Sequence, residues 1–398
     1  MATADDNLSV VIGAGGTGGH IYPGLAVADA LRRAVPHAVI SFIGTERGLE
    51  TRLIPDAGYR LHTVDMIPFD SSLGARRYLL PADLLRSGRQ AQRVIEEQGA
   101  HVVVGMGGYP SAPAVLGARM ARRPVLVHES NAVPGRANRF AAALTPHIAL
   151  AFDRTREHLP ARTALRAETV GMPLVSDVAG LDRAGRKALR GEARRWFGVP
   201  EGTRLVLFNG GSLGAARLTE AALELASRWR GRPDVHLVIK TGPGALEQVR
   251  ARLTAEGGDR VATAVGYLDR MDLAYAAADV MVCRAGSATV AELSSVGVPA
   301  VLVPYPHAPH DHQTHNARVL SDAGAGLLLP DGEATGDRLA GLIEPLFADP
   351  ARLAAMGTAA APGTHALAAG LMAAWALRLA GRTPANPFPF QAVERNHA

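Results

Sequence analysis

"VIGAGGTGGHIYPGLAVADAL", residues 11–31, decides the fold. A short β-branched run enters a turn holding Gly13, Gly15, Gly16, Gly18 and Gly19, and a helical period follows from Gly24. Strand, glycine turn, helix is the opening unit of a Rossmann-like sheet, and Gly13, Gly15 and Gly18 satisfy G-x-G-x-x-G. Glycines there let backbone N–H groups face an anion at a helix N-terminus. The pattern recurs at residues 204–229, "RLVLFNGGSLGAARLTEAALELASRW". Two such starts predict two Rossmann-like α/β domains rather than one long sheet. Between them, residues 177–203 read as a charged helix ahead of the second domain.

Further strands are predicted within "AVISFIG", "HVVVGMGG" and "PVLVHES" in the first half. The second half supplies "DVHLVIKTG", "VATAVGYL", "DVMVCRAG" and "PAVLVPYP", with helical stretches between strands. The chain has 398 residues, 47% hydrophobic and 20% charged, as expected of globular domains. Its net charge of +5 is carried almost wholly by arginine, with Lys187 and Lys240 the only lysines. That balance suits anionic substrates or an anionic membrane surface, and without a clustered basic stripe it does not indicate nucleic acid. Cys283 is the sole cysteine, which excludes an internal disulfide framework or a cysteine-built metal site. The N-terminus lacks the pattern of a signal peptide, and no uncharged apolar run is long enough to span a bilayer, so a cytosolic location is expected.

The polar residues gather where strands end. His20 closes the first turn, where an imidazole suits proton transfer near neutral pH. A dinucleotide enzyme would place an acid after the second strand, and Glu46 of "GTERGLE" is the candidate. "VLVHESNAVPGRANR" ends a strand in His128, Glu129, Ser130 and Asn131, with Asn138 following; ligand contact competes here with helix capping. In "VCRAGSATVAEL" a strand delivers Arg284, Gly286 and Ser287 to a helix start carrying Thr289 and Glu292. That end suits a diphosphate, and Glu292 suits a ribose diol. "PYPHAPHDHQTHNARVL" holds His307, His310, His312 and His315, whose spacing matches no familiar metal-ligand pattern. No D-x-D pair occurs, so neither a resident metal nor a cofactor is expected.

Taken in order, "GGTGGHIYPGLAVADAL", "GTERGLE", "GMGGYPSAP", "HESNAVPGRANR", "GGSLGAARL", "CRAGSATVAEL" and "DHQTHNARVL" resemble the MurG family of UDP-N-acetylglucosamine transferases, from about Val10 to Leu329. The resemblance implies the GT-B glycosyltransferase fold, two Rossmann-like domains facing a cleft. It implies an acceptor and membrane-facing domain over residues 8–173, completed by a returning helix near 366–380, a donor domain over 174–365, and a flexible tail over 382–398. The implied reaction is inverting transfer of N-acetylglucosamine from UDP-GlcNAc to the C4 hydroxyl of undecaprenyl-diphosphate-linked muramyl-pentapeptide (lipid I). Lipid II results, at the cytoplasmic face of the cell membrane, in peptidoglycan synthesis and hence cell shape and division.

Carried over by motif, Leu268 would contact uracil through its backbone. Ser212, Arg284, Ser287 and Thr289 would meet the diphosphate, Glu292 the ribose, and His312 and Gln313 the sugar. Thr17, Gly18, Gly19, Tyr109, Asn131 and Asn138 would line the acceptor side, with His20 or Glu129 as the base. Leu213 and Ser130 stand where the family usually has Gln, and His312 where some members do. Residues 66–90 mix Leu73, Tyr78, Leu79, Leu80 and Leu84 with Arg76, Arg77, Arg86 and Arg89, as a peripheral membrane contact would. Three other readings stay open: a specialised paralogue of an antibiotic or self-resistance pathway, a non-catalytic nucleotide-sugar-binding protein, and a dinucleotide-dependent oxidoreductase. The second glycine turn and "CRAGSATVAEL" speak against the last.

Overall fold

A computed structural model describes residues 8–66, 80–200, 202–211, 215–242, 244–360 and 365–383. The chain divides near Val175 into two compact units, and its last described helix, His365–Leu379, returns to the first.

The first unit is a parallel sheet of β1 (Ser9–Gly13), β2 (Val39–Gly44), β3 (Arg60–Thr63), β4 (Val102–Gly105), β5 (Val125–Glu129), β6 (His147–Leu150) and β7 (Glu168–Thr169). Its spatial order is β3-β2-β1-β4-β5-β6-β7. The order reverses between β1 and β4, so the turns after those two strands lie side by side. Central strands carry apolar residues on both faces because helices cover both: Val10, Val11 and Ile12 have no exposed surface. One face packs on the helices Gly18–Ala34 and His365–Leu379, where Leu31, Met372 and Trp375 share a core with Val10 and Ile12. The other packs on Leu80–Glu97 and Ser111–Met120 through Ala91, Ile95 and Val115. The returning helix is also pinned to the chain before the division, where Met172 N donates to His365 Nδ1 at 2.9 Å.

The second unit repeats the scheme with β8 (Arg204–Asn209), β9 (Val235–Lys240), β10 (Ala262–Val265), β11 (Val280–Cys283), β12 (Ala300–Leu302) and β13 (Gly326–Leu328). These lie parallel in the order β10-β9-β8-β11-β12-β13. The charged helix expected before the second sheet is Arg183–Trp196, capped by Asp182, whose side chain accepts from Gly185 N at 2.7 Å. Among the described residues no helix is long and apolar enough to cross a membrane.

Candidate active site

In the first unit, the turn after β1 carries Thr17 as N-cap of the helix Gly18–Ala34. His20 lies in the first helical turn, with Thr17 Oγ1 at 3.3 Å from its Nδ1. Its ring rests against the turn after β4: a Cβ on Gly107 would sit 3.2 Å from His20 Cδ2 and 3.1 Å from Asn138 Nδ2. Gly107 (φ 86°) and Gly108 (φ 75°) are left-handed, so glycine is required there both for conformation and for the room His20 occupies. The sheet order thus brings His20 beside Asn138, which follows β5.

The glycine turn is not the open anion cradle that its sequence suggests. Glu50, fully buried in the helix Glu50–Asp56, accepts from Gly16 N at 2.9 Å, Thr45 N at 3.1 Å and Thr45 Oγ1 at 2.7 Å. Gly15 and Gly48 leave space for that carboxylate, since a Cβ on either would approach it to 2.6 or 1.9 Å. The acid that accepts from this turn is Glu50; Glu46 accepts from Thr63 Oγ1. Gly16 N is thus taken by Glu50, while Gly18 and Gly19 open the helix that follows. Tyr109 stacks over Gly16 and places its hydroxyl 3.4 Å from Thr45 Oγ1.

Glu129, the other candidate base, is the hub of its own loop. Its Oε1 accepts from Asn131 N at 2.8 Å and Asn131 Nδ2 at 3.3 Å. Its Oε2 accepts from Gly135 N at 3.0 Å and Asn138 Nδ2 at 2.8 Å. Burial raises its pKa and these four bonds lower it, so both its oxygens are committed to holding residues 131–138 in place. His128 donates from Nε2 to Gly171 O, and burial drives its pKa down to about 4, leaving a neutral structural imidazole. Ser130 Oγ accepts from Asn131 Nδ2 at 3.3 Å. Asn138 is 7% exposed; its Nδ2 lies by Gly107 and His20 and also donates to His128 O at 3.0 Å, while its Oδ1 is buried with no hydrogen-bond partner in the structure.

In the second unit, Ser287 opens the helix Ser287–Val296 after Gly286, with Thr289 in the same turn and no side chain capping the helix start. Glu292 accepts from Tyr275 Oη at 2.5 Å. Burial pushes its pKa up to about 7, against the Tyr275 bond, which pulls it down. Leu268 follows β10 and lines a cavity of about 250 Å³ with Tyr267, Val265 and Trp196. Gln313 Oε1 accepts from Ala285 N at 3.2 Å and Tyr305 N at 2.9 Å, so its oxygen shapes the turn and its amide nitrogen is the group a ligand would meet. His312 donates from Nδ1 to Pro309 O at 2.8 Å, after His310 and Asp311 at φ 55° and 51°. Two successive left-handed non-glycine residues cost on the order of 1–3 kcal/mol each, a strain of the kind found at binding loops.

Arg284 is held by its neighbours: Nη1 of its guanidinium pairs with Asp331 at 2.5 Å and donates to Val303 O and Pro304 O. Ser212 and Leu213 lie outside the described residues, as do positions 67–79 of the expected membrane contact and the tail from 384. No group of three or more potential ligands that could hold a metal ion occurs among the described residues.

Residues 10–149 match the glycosyltransferase family 28 N-terminal domain, and residues 205–371 the glycosyltransferase family 28 C-terminal domain. The chain is 43% identical over 383 residues to a Mycobacterium tuberculosis UDP-N-acetylglucosamine–N-acetylmuramyl-(pentapeptide) pyrophosphoryl-undecaprenol N-acetylglucosamine transferase, covering 94% of this chain and 90% of the relative. A protein of the same name from a Nocardioides species is 43% identical over 356 residues, 89% of this chain and 93% of the relative. The crystal structure of Acinetobacter baumannii MurG superposes with a TM-score of 0.70 at 28% identity, covering 92% of this chain and 99% of that one.

Proposed function

The chain belongs to the MurG family within glycosyltransferase family 28, and from that premise we propose that it transfers N-acetylglucosamine from UDP-GlcNAc to lipid I, forming lipid II. The observation that carries this reading is the 43% identity over 94% of the chain, on two parallel-sheet units of the GT-B fold. The acceptor's C4 oxygen attacks the anomeric carbon, the bond to the β-phosphate breaks, configuration inverts, UDP leaves and the C4 proton passes to a base. His20 takes that proton: Thr17 engages its Nδ1, and Glu129 is committed to its loop. Asn138, whose Nδ2 lies by Gly107 and His20, is placed on the acceptor side. The start of the helix Ser287–Val296 faces the leaving diphosphate.

Multiple-turnover release of UDP, measured with lipid I and several UDP-sugars, tests the reading. Turnover confined to UDP-GlcNAc is the expected result. Turnover with another UDP-sugar alone would favour a paralogue, and none with any would favour the non-catalytic reading.

Glu292 sets a pH dependence for donor binding. Ribose hydroxyls donate best to an ionised carboxylate, and this one is neutral below its raised pKa of about 7. UDP affinity is therefore expected to rise as pH increases through about 6 to 8, and Glu292→Gln to flatten that rise. Equal UDP affinity across the range in the unaltered chain would refute the assignment.

Membrane attachment is the remaining part. The helix Leu80–Glu97 turns Ser87, Gly88, Ala91 and Ile95 inward and leaves Leu85, 42% exposed, outside with Arg86 and Arg89. An exposed leucine among arginines supports docking on an anionic leaflet. Co-sedimentation with phosphatidylglycerol vesicles but not with phosphatidylcholine vesicles is expected; equal recovery on both would argue against it.

A further inference from the structure

Lys240 ends β9 and is one of two lysines in the chain. It is 6% exposed. Its ammonium donates to Gly211 O and lies 5.9 Å from the centre of the Tyr267 ring. No carboxylate among the described residues pairs with it, and burial alone lowers its pKa. A buried, unneutralised ammonium is costly, and one carbonyl oxygen does not offset a full charge. A glutamine could make the same bond to Gly211 without the ionic desolvation, so the latch alone does not account for a lysine.

The sheet order says where the charge points. β9 lies between β8 and β10. β8 leads into Asn209–Gly211, at the start of the second glycine turn, where Asn209 Oδ1 accepts from Gly211 N. β10 leads into the exposed Tyr267 and then Leu268. In strand register Lys240 is flanked by Asn209 on one side and Val265 on the other. Arg284, the cation that the motif suggested for this task, is paired with Asp331, whereas Lys240 has no carboxylate partner among the described residues.

We propose that Lys240 is a donor-binding residue whose ammonium, held between the second glycine turn and Tyr267, contacts the diphosphate of the nucleotide-sugar; this rests on the donor reading above. The bond to Gly211 orients the ammonium and yields to, or is shared with, a phosphate oxygen when donor binds. The ammonium also stabilises the charge on departing UDP.

Equilibrium titrations of UDP and of uridine separate this role from a structural one. Lys240→Met is expected to weaken UDP by about tenfold or more and to leave uridine within about twofold, because uridine lacks the phosphates. Lys240→Arg is expected to recover most of the UDP affinity. The KM for UDP-GlcNAc should follow the UDP titrations. Should Lys240→Met fail to fold, Lys240→Gln, which keeps a donor for Gly211 O, reads the same comparison. Parallel weakening of UDP and uridine would show that Lys240 only shapes the turn, and no change in either would show that it meets no phosphate; each overturns the proposal. UDP binding to the unaltered chain is the separate control on the donor reading, and its absence would overturn both.

Discussion

Replacing His20 with alanine is expected to lower kcat by about 10²–10⁴-fold, the usual loss when a general base is removed. UDP affinity should be unchanged, because His20 belongs to the first unit and the donor residues to the second. Folding should also be preserved, since the ring is half-buried on a glycine turn and Thr17 is the N-cap of the helix behind it. The plot of kcat against pH should lose its acidic limb in the variant, since protonated imidazole accepts no proton. A loss under about tenfold, or an unchanged acidic limb, would take the proton-transfer role away from His20.

Glu129 is expected to fail differently. Glu129→Ala leaves Asn131 N and Gly135 N without their acceptor in a buried site, and Asn138 Nδ2 with only His128 O. Unsatisfied buried donors cost about 1–3 kcal/mol each. Denaturant unfolding should show that loss as a lower midpoint with the slope little changed. Glu129→Gln should also be destabilised, because its amide nitrogen must face N–H donors. A Glu129→Gln protein as stable as the unaltered chain, with kcat reduced a hundredfold or more, would restore Glu129 as the base.

The readable part of the fold was the part with local periodicity. The glycine turns, their flanking strands and the helices after them follow from neighbouring residues. Three of the four edge strands were not legible: Arg60–Thr63, Glu168–Thr169 and Gly326–Leu328 are four, two and three residues long. So short a run shows no alternation, and each is a strand only because a neighbour's backbone pairs with it. The site divides along the same line. The helix start that carries Ser287 and Glu292 was legible, because strand, glycine and helix follow one another in the chain. Glu50 was passed over for Glu46, because nothing within "GTERGLE" tells which acid turns back toward Gly16.

By itself, then, the sequence determined that two strand–glycine–helix units would form and that their polar residues would collect at strand ends. It also determined the family, through motifs that are local in the chain. Tertiary structure alone decided what those residues are free to do. Glu50 fills the first glycine turn, Glu129 is committed to the 131–138 loop, Asp331 pairs with Arg284, and Lys240 is buried without a carboxylate. The physical reason is that a charge's role depends on its partners and on the water removed from it. Sheet order and helix packing set both, bringing Gly16 to Glu50 across 34 residues and Arg284 to Asp331 across 47.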